Sequence, residues 1–248
     1  MDKELIKHLQ KLADKYEISS FTDGDPSFVL KRYKTTPETE TAAFIAAMLA
    51  FGNRRQFIPK IEFILETAEK HGLTAYSWIK SARFKDDFPH GSSKFYRFYS
   101  YDDMHCLFEE LCGIFERYKT LGNAVKSLMK QDENQETPSD ILCSLFPRSR
   151  IVPKGKNSAC KRIHMFLRWM VRRNSPVDLG LWDWIDPADL IIPLDVHVLE
   201  EAKKLGLLPE TTRPDKKAAV ELTKTLDQIF PGDPCQGDFA LFGLGVDI

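Results

Sequence analysis

Cysteine is scarce and unpaired in this chain: Cys106, Cys112, Cys143, Cys160 and Cys235 are five in number, and no two of them form a CxxC pair. An odd count without that spacing argues against a disulfide framework, a zinc ribbon or an iron–sulfur cluster, and fits a reducing cytoplasm. Long apolar runs are missing too. No stretch approaches the roughly 20 apolar residues of a membrane span, and the opening MDKELIKHLQKLADKY is charged and amphipathic rather than a signal segment. The sequence has no Gly-rich phosphate loop, no HExxH and no GxSxG. Nucleotide-dependent, zinc-protease and serine-hydrolase chemistries therefore lose their usual support. The 6 histidines are scattered without ligand spacing, so neither a metal nor a cofactor is expected. Strand-period segments of useful length and internal repeats are absent, which leaves an all-α expectation. Neither sign of charge dominates, with Lys+Arg at 35 and Asp+Glu at 36. A nucleic-acid role would have to come from a local patch, not from the whole molecule.

Such a patch is present. Residues 148–173, RSRIVPKGKNSACKRIHMFLRWMVRR, carry nine Lys or Arg and no acid. From Ser158 onward they also have helix period: Ala159, Ile163, Phe166 or Leu167, and Met170 recur at spacings of three and four. That side should be buried and Lys161, Arg162, Arg168, Arg172 and Arg173 should point elsewhere, forming a basic face that attracts polyanions. A solvated charged helix is the alternative.

Taken in order, Leu5, Leu9, Leu12 and Tyr16 mark a first amphipathic helix, and FTDGDPSF supplies turn residues. Thr36-Pro37-Glu38 opens a helix whose run ETAAFIAAMLAF is apolar nearly all round, the mark of a central core helix. Gly52 ends it. The polar tip Asn53, Arg54, Arg55 and Gln56 then precedes a helix through Phe57, Ile61, Ile64 and Leu65, and it either faces phosphates or is a solvated corner. A short helix is expected between Leu73 and Phe84. In the loop that follows, Phe95, Tyr96, Phe98 and Tyr99 either stack on bases or pack the loop onto its domain. Asp102 or Asp103 should cap a helix through Leu107, Leu111 and Ile114, and another follows from Leu121 to Met129. KQDENQETPSD reads as an exposed acidic connection, and Ser139 to Leu145 as a short helix. After the basic helix, Asp186-Pro187 and Asp195 are helix N-caps, the second opening a helix through Val198, Leu199, Ala202 and Leu205. A helix from Asp215 to Ile229 and the apolar FALFGLGV close the chain.

Lys161 in the patch and Asp195 at the start of a later helix can together do a definite reaction. A deprotonated amine attacks the sugar carbon of a nucleotide and displaces the base, while a carboxylate steadies the positive charge developing on the sugar. Crowding by Arg162 and partial burial would lower the lysine pKa as that role needs.

These residues also carry a resemblance. HMFLRWMV followed by IIPLDVHVLEEAKKLGLL resembles the helix-hairpin-helix DNA glycosylase superfamily, in which a hairpin lysine helix leads to a VDTHVxRVxxRLGL segment holding the catalytic aspartate. Leu194-Asp195-Val196-His197-Val198 matches the aspartate segment, and Lys203-Lys204-Leu205-Gly206-Leu207 its continuation. FIAAMLAFGNRRQFIPKIEFIL is similar to the superfamily's first core helix and the loop after it, and DFALFGLGV to its closing helix. The likeness covers most of the chain after residue 38. In layout it is nearest to the archaeal 8-oxoguanine DNA glycosylase branch, and it passes through a bacterial family marked by SACKRIHMFLRWMVR and IPLDVHV. The hairpin IVPKGKNSACK has one glycine where the superfamily shows LPGxGxK.

The resemblance implies a two-lobed helical fold with a helix-hairpin-helix-like unit, residues 38–130 forming one lobe and residues 1–37 with 137–248 the other. It implies a glycosylase with AP lyase activity on damaged double-stranded DNA, monomeric, cytoplasmic and away from membranes. The expected catalytic residues are Lys161 and Asp195. Alignment on the hairpin instead of on the distance to Asp195 makes Lys156 the alternative lysine. Asn53, Arg54, Arg55, Lys154, Lys156, Arg162, Arg168 and Arg172 are expected on DNA, and Trp169, Trp182, Trp184 and His197 around the flipped base. The alternatives are a non-catalytic nucleic-acid binder with the same fold and a helical interaction scaffold.

Overall fold

The computed structural model describes residues 2–131 and 136–246. Among the described residues the chain is mostly helical. Its elements are α1 (Lys3–Tyr16), α2 (Thr36–Leu49), α3 (Arg54–Glu69), α4 (Ala75–Lys80), α5 (Phe84–Asp87), a hairpin of β1 (Lys94–Tyr96) and β2 (Tyr99–Ser100), α6 (Tyr101–Tyr118), α7 (Leu121–Gln131), α8 (Pro138–Ser144), α9 (Lys161–Val171), α10 (Val196–Lys204), α11 (Lys216–Asp227) and α12 (Gln236–Val246). No helix among the described residues is long and apolar enough to cross a membrane. The chain divides into two compact units, Asp23–Lys154 and Met1–Thr22 with Gly155–Ile248. The expected lobe boundaries are therefore corrected: residues 23–37 and 137–154 belong with the central segment. The break after Lys154 also puts α8 and α9, the two helices of the expected hairpin unit, into different units. The tip of the acidic connection, residues 132–135, lies outside the described residues.

In the central unit, α2 is buried on every side from Thr39 to Leu49, as its unbroken apolar run requires. Thr35 rather than Thr36 caps it, in a capping box with Glu38. The one acid in its buried stretch, Glu40, accepts the Gly122 N–H at 3.0 Å, meeting an orphan donor at the start of α7. Gly52 leaves α2 at φ +81°, a left-handed turn natural for glycine, and Asn53 accepts the Arg55 N–H at 2.9 Å to cap α3. The aromatic loop is the hairpin β1/β2, which the sequence pattern does not announce. Phe95, Tyr96 and Tyr99 are buried, and Phe51 sits 5.0 Å from Tyr96 and 5.4 Å from Tyr99. Packing thus accounts for three of the four rings, and Phe98 alone is exposed, at 61%. Ser100, not Asp102 or Asp103, caps α6, with Asp103 completing the capping box. Asp186-Pro187 opens only a 3-10 turn, Pro187–Asp189.

The other unit joins both ends of the chain. Its core holds Leu9, Val198, Leu199, Leu222, Leu226 and Leu241, from α1, α10, α11 and α12. Gly243 is what lets α1 lie against α12, since a Cβ there would stand 2.2 Å from the Tyr16 ring. α9 is buried from Ile163 to Val171, so it is not the half-exposed amphipath its period suggests.

Candidate active site

Asp195 is the N-cap of α10: its Oδ1 accepts the His197 N–H at 2.9 Å and the Val198 N–H at 3.0 Å. Its other oxygen, Oδ2, lies 2.9 Å from Lys161 Nζ. The two side chains are 17% and 30% exposed respectively, neither sealed in the core nor loose in solvent. Burial alone would push the Asp195 carboxyl up. The charge and hydrogen bond of Lys161 and the Val198 N–H outweigh it, with a smaller contribution from His197, and hold it below its ordinary range. Asp195 is therefore a carboxylate at neutral pH.

The backbone that delivers Lys161 is unusual. Cys160, the residue before α9, has φ 45° in the left-handed region, which costs a non-glycine residue about 1–2 kcal/mol. Ser158 Oγ accepts the Cys160 N–H at 3.2 Å. Strain of this kind is tolerated where surrounding structure fixes it, and it is concentrated at functional sites. On the other side, Lys161 Nζ stands 5.7 Å from the centre of the Phe242 ring of α12. Asp238, one turn earlier on α12, feels both members of the pair. Burial pushes its carboxyl up to about 6, opposed by Arg168 and Lys161 and aided by the charge of Asp195. Among the described residues no group of three or more His, Cys, Asp or Glu is placed to hold a metal ion.

The sequence expectations divide at this point. Lys161 is the lysine at Asp195, whereas Lys156 is exposed and lines a different cleft. Arg168 and Arg172 are corrected: they are 3% and 2% exposed and cannot touch DNA. Arg168 Nε pairs with Asp178 at 3.3 Å and its Nη1 bonds Asp238. Arg172 reaches Asp233, Asp178 and Glu17 at 2.8, 2.6 and 2.8 Å. Both guanidinium groups also face the Phe239 ring, at 4.3 and 5.2 Å. This network fastens the end of α1 to α9 and α12, so the cations serve the fold. Lys154 is exposed, yet its amine is held by the carbonyls of Phe146 and Pro147. Arg162 is half-buried and Arg55 exposed. Arg54 pairs with Asp25 at 3.3 Å and Asn53 is committed to its cap.

Of the aromatic expectations, Trp169 and Trp182 are corrected, being 0% and 1% exposed core residues. Trp184 is half-buried and stacks on Trp182 at 5.5 Å and 22°. His197 is exposed on the first turn of α10. Sequence reasoning missed Phe242, Asp238 and the left-handed Cys160. The lone acid entering the apolar DFALFGLGV was the available signal for Asp238, because an unpaired carboxylate has no reason to enter such a run.

The fold and the pair define a mostly helical protein that holds a lysine against a helix-capping carboxylate at a partly open site. The chain belongs to the protein of unknown function (DUF2400) family, whose model matches residues 25–247 and so takes in the tip, the basic helix and the pair. No curated protein and no solved structure matches the chain.

Proposed function

We propose that this protein is a DNA base-excision enzyme, a glycosylase with AP lyase activity, built on a two-lobed layout like that of the helix-hairpin-helix glycosylases. One observation carries the reading: Lys161 Nζ meets the free oxygen of Asp195 at 2.9 Å, bringing a nucleophile and an ionised carboxylate together from distant parts of the chain. Once its ammonium has passed a proton to solvent, the amine of Lys161 attacks C1′ of the damaged nucleotide, the bond from C1′ to the base breaks, and the departing base takes up the proton that the newly bonded nitrogen releases. Opening of the sugar ring then gives the imine that permits strand nicking. Asp195, its other oxygen held by the His197 and Val198 N–H groups, stabilises the cationic sugar. A base flipped toward the pair would meet the Phe242 ring, 5.7 Å from Lys161 Nζ, and His197 on the first turn of α10, with Trp184 as the further stacking face this reading assigns. In this reading the protein acts as a monomer on double-stranded DNA in the cytoplasm, with no cofactor and no membrane partner.

The second reading is a nucleic-acid binder without chemistry. The ion pair itself favours it, since an ammonium held by a carboxylate is not a nucleophile until it sheds a proton. Borohydride reduction decides between them. Oligonucleotides carrying an abasic site or single damaged bases should give a covalent adduct with the wild type and with Lys156→Gln, but none with Lys161→Gln. Absence of any adduct across the lesion panel, with binding intact, sinks the catalytic reading in favour of the second.

A further inference from the structure

A second feature of the unit that holds the pair is a cleft of about 460 Å³ lined by Lys156, Asn157, Lys216, Lys217, Glu221 and Lys224, with Val220 as its one apolar side chain. Four lysines against one glutamate leave three net positive charges in a chain whose formal net charge is -1. The cleft is built from two separate segments that the backbone ties together. Lys216 donates its N–H to the Asn157 carbonyl at 3.0 Å, and Ser158 bridges to Asp215. Gly155 and Lys156 are both left-handed, at φ 75° and 49°, a turn that closes with the Ser158 N–H on the Gly155 carbonyl at 3.0 Å. The other wall is the outer face of α11, where Lys217, Val220, Glu221 and Lys224 follow the three-and-four spacing of one helix face. The opposite face, Ala218, Ala219, Leu222 and Leu226, is in the core.

The gathering of charge here works against folding. Lys216 and Lys217 occupy the first turn of α11, where the helix dipole disfavours cations, and gathering like charges costs further repulsion. Its geometry instead suits a polyanion. Lys217 and Lys224 are about 10 Å apart along the helix axis at 1.5 Å per residue, which is the rise of about three nucleotides of one DNA strand at 3.4 Å each. The cations are all lysines. They act as point charges on phosphates rather than as the arginine forks that fit carboxylates in both oxygens. A lipid surface fits less well, since an interfacial helix needs an apolar face turned outward, and the apolar face of α11 is buried.

We infer that this lysine cleft binds the phosphodiester backbone of a nucleic-acid strand, as an anchoring surface separate from the Lys161–Asp195 pair. The inference extends the proposed function by giving its DNA partner a second point of attachment, and its test does not require catalysis.

The full chain is titrated against a fluorescein-labelled DNA duplex by anisotropy over a salt series. The double variant Lys217→Gln/Lys224→Gln should bind roughly tenfold more weakly at low salt and flatten the log–log salt slope by about 2, since each phosphate contact contributes about 0.9. Lys156→Gln, which alters no helix residue, should flatten it by about 1 and decides the matter if the double variant melts early. Unchanged affinity and slope in both variants overturn the inference. So does a lysine requirement seen only with vesicles of phosphatidylserine and phosphatidylcholine and not with DNA. A wild type that shows the lysine-dependent slope but no borohydride adduct leaves the cleft standing while removing the catalytic reading.

Discussion

Lys161 approaches Asp195 through the carboxylate oxygen that the helix does not use: Oδ1 accepts the His197 and Val198 N–H groups, and Oδ2 takes the ammonium at 2.9 Å. The cap and the charge are thereby separable by substitution. Asp195→Asn keeps an oxygen for the cap, and asparagine is as good an N-cap as aspartate, so the helix should lose little. Asp195→Ala should cost about 1 kcal/mol, the usual value of a lost cap. Urea unfolding measures both. If Asp195 also serves chemistry, the Asn variant should be nearly as stable as wild type, bind DNA, and lose turnover. An Asn variant as unstable as the Ala variant would show that the charge paired with Lys161, not the cap oxygen, carries the stability, and turnover that survives in the Asn variant would mark the residue as a cap and nothing more.

The same carboxyl has a pH signature. Its folded pKa is depressed, because Lys161 and the backbone N–H outweigh the effect of burial. A depressed carboxylate stabilises the fold above its unfolded pKa, about 3.9, and that contribution disappears as pH falls through the folded value. The amide that Asp195→Asn introduces cannot titrate, so the difference in unfolding free energy between the two proteins should be flat from about pH 5 to 8. It should shrink in favour of the variant as the pH falls below about 4. A difference that stays constant down to about pH 2, below the unfolded pKa, contradicts the ion pair.

Arg172 predicts the opposite kind of result. It is 2% exposed and holds Asp178, Asp233 and Glu17, so its removal strands buried acids. Arg172→Ala should lose about 3–5 kcal/mol of stability, the range for a broken buried pair. DNA affinity of the fraction that remains folded, measured well below its melting temperature, should keep the wild-type salt slope. A flatter slope with normal stability would return Arg172 to the surface.

How far the sequence revealed this depends on the range of the interactions. The cap at Asp195 and the all-round apolar α2 were legible because each depends on residues within one or two turns. The hairpin was not, since strands of three and two residues are too short for alternation to show. Arg168 and Arg172 read as a basic face because the acids that bury them come from Glu17, Asp178, Asp233 and Asp238. No local pattern announces partners in other segments. The contact of Lys161 with Asp195 was reachable by resemblance alone, because spacing says nothing of which helices meet.

The tip after α2 yields the last prediction, and its geometry changes the experiment that the sequence suggests. Replacing Asn53, Arg54 and Arg55 together would remove a helix cap and the Arg54 pair with Asp25 at 3.3 Å, confusing stability with binding. Arg55 is exposed, and the one exposed ring of the hairpin, Phe98, lies 5.3 Å from Phe51 just before that tip. Arg97, also on the hairpin turn, extends its guanidinium over Phe51 at 5.8 Å. A cation and an open aromatic face on one edge of the central unit are the chemistry that contacts phosphates and unstacked bases. Arg55→Ala should leave stability within about 0.5 kcal/mol, as a surface change does, and weaken binding to intact and damaged duplex alike. Phe98→Ala should weaken binding to a mismatched or abasic duplex by about 1–3 kcal/mol, the value of one stacking contact, while affinity for intact duplex stays near wild type. Equal losses on both duplexes from Phe98→Ala would show that the ring only supports the hairpin against Phe51.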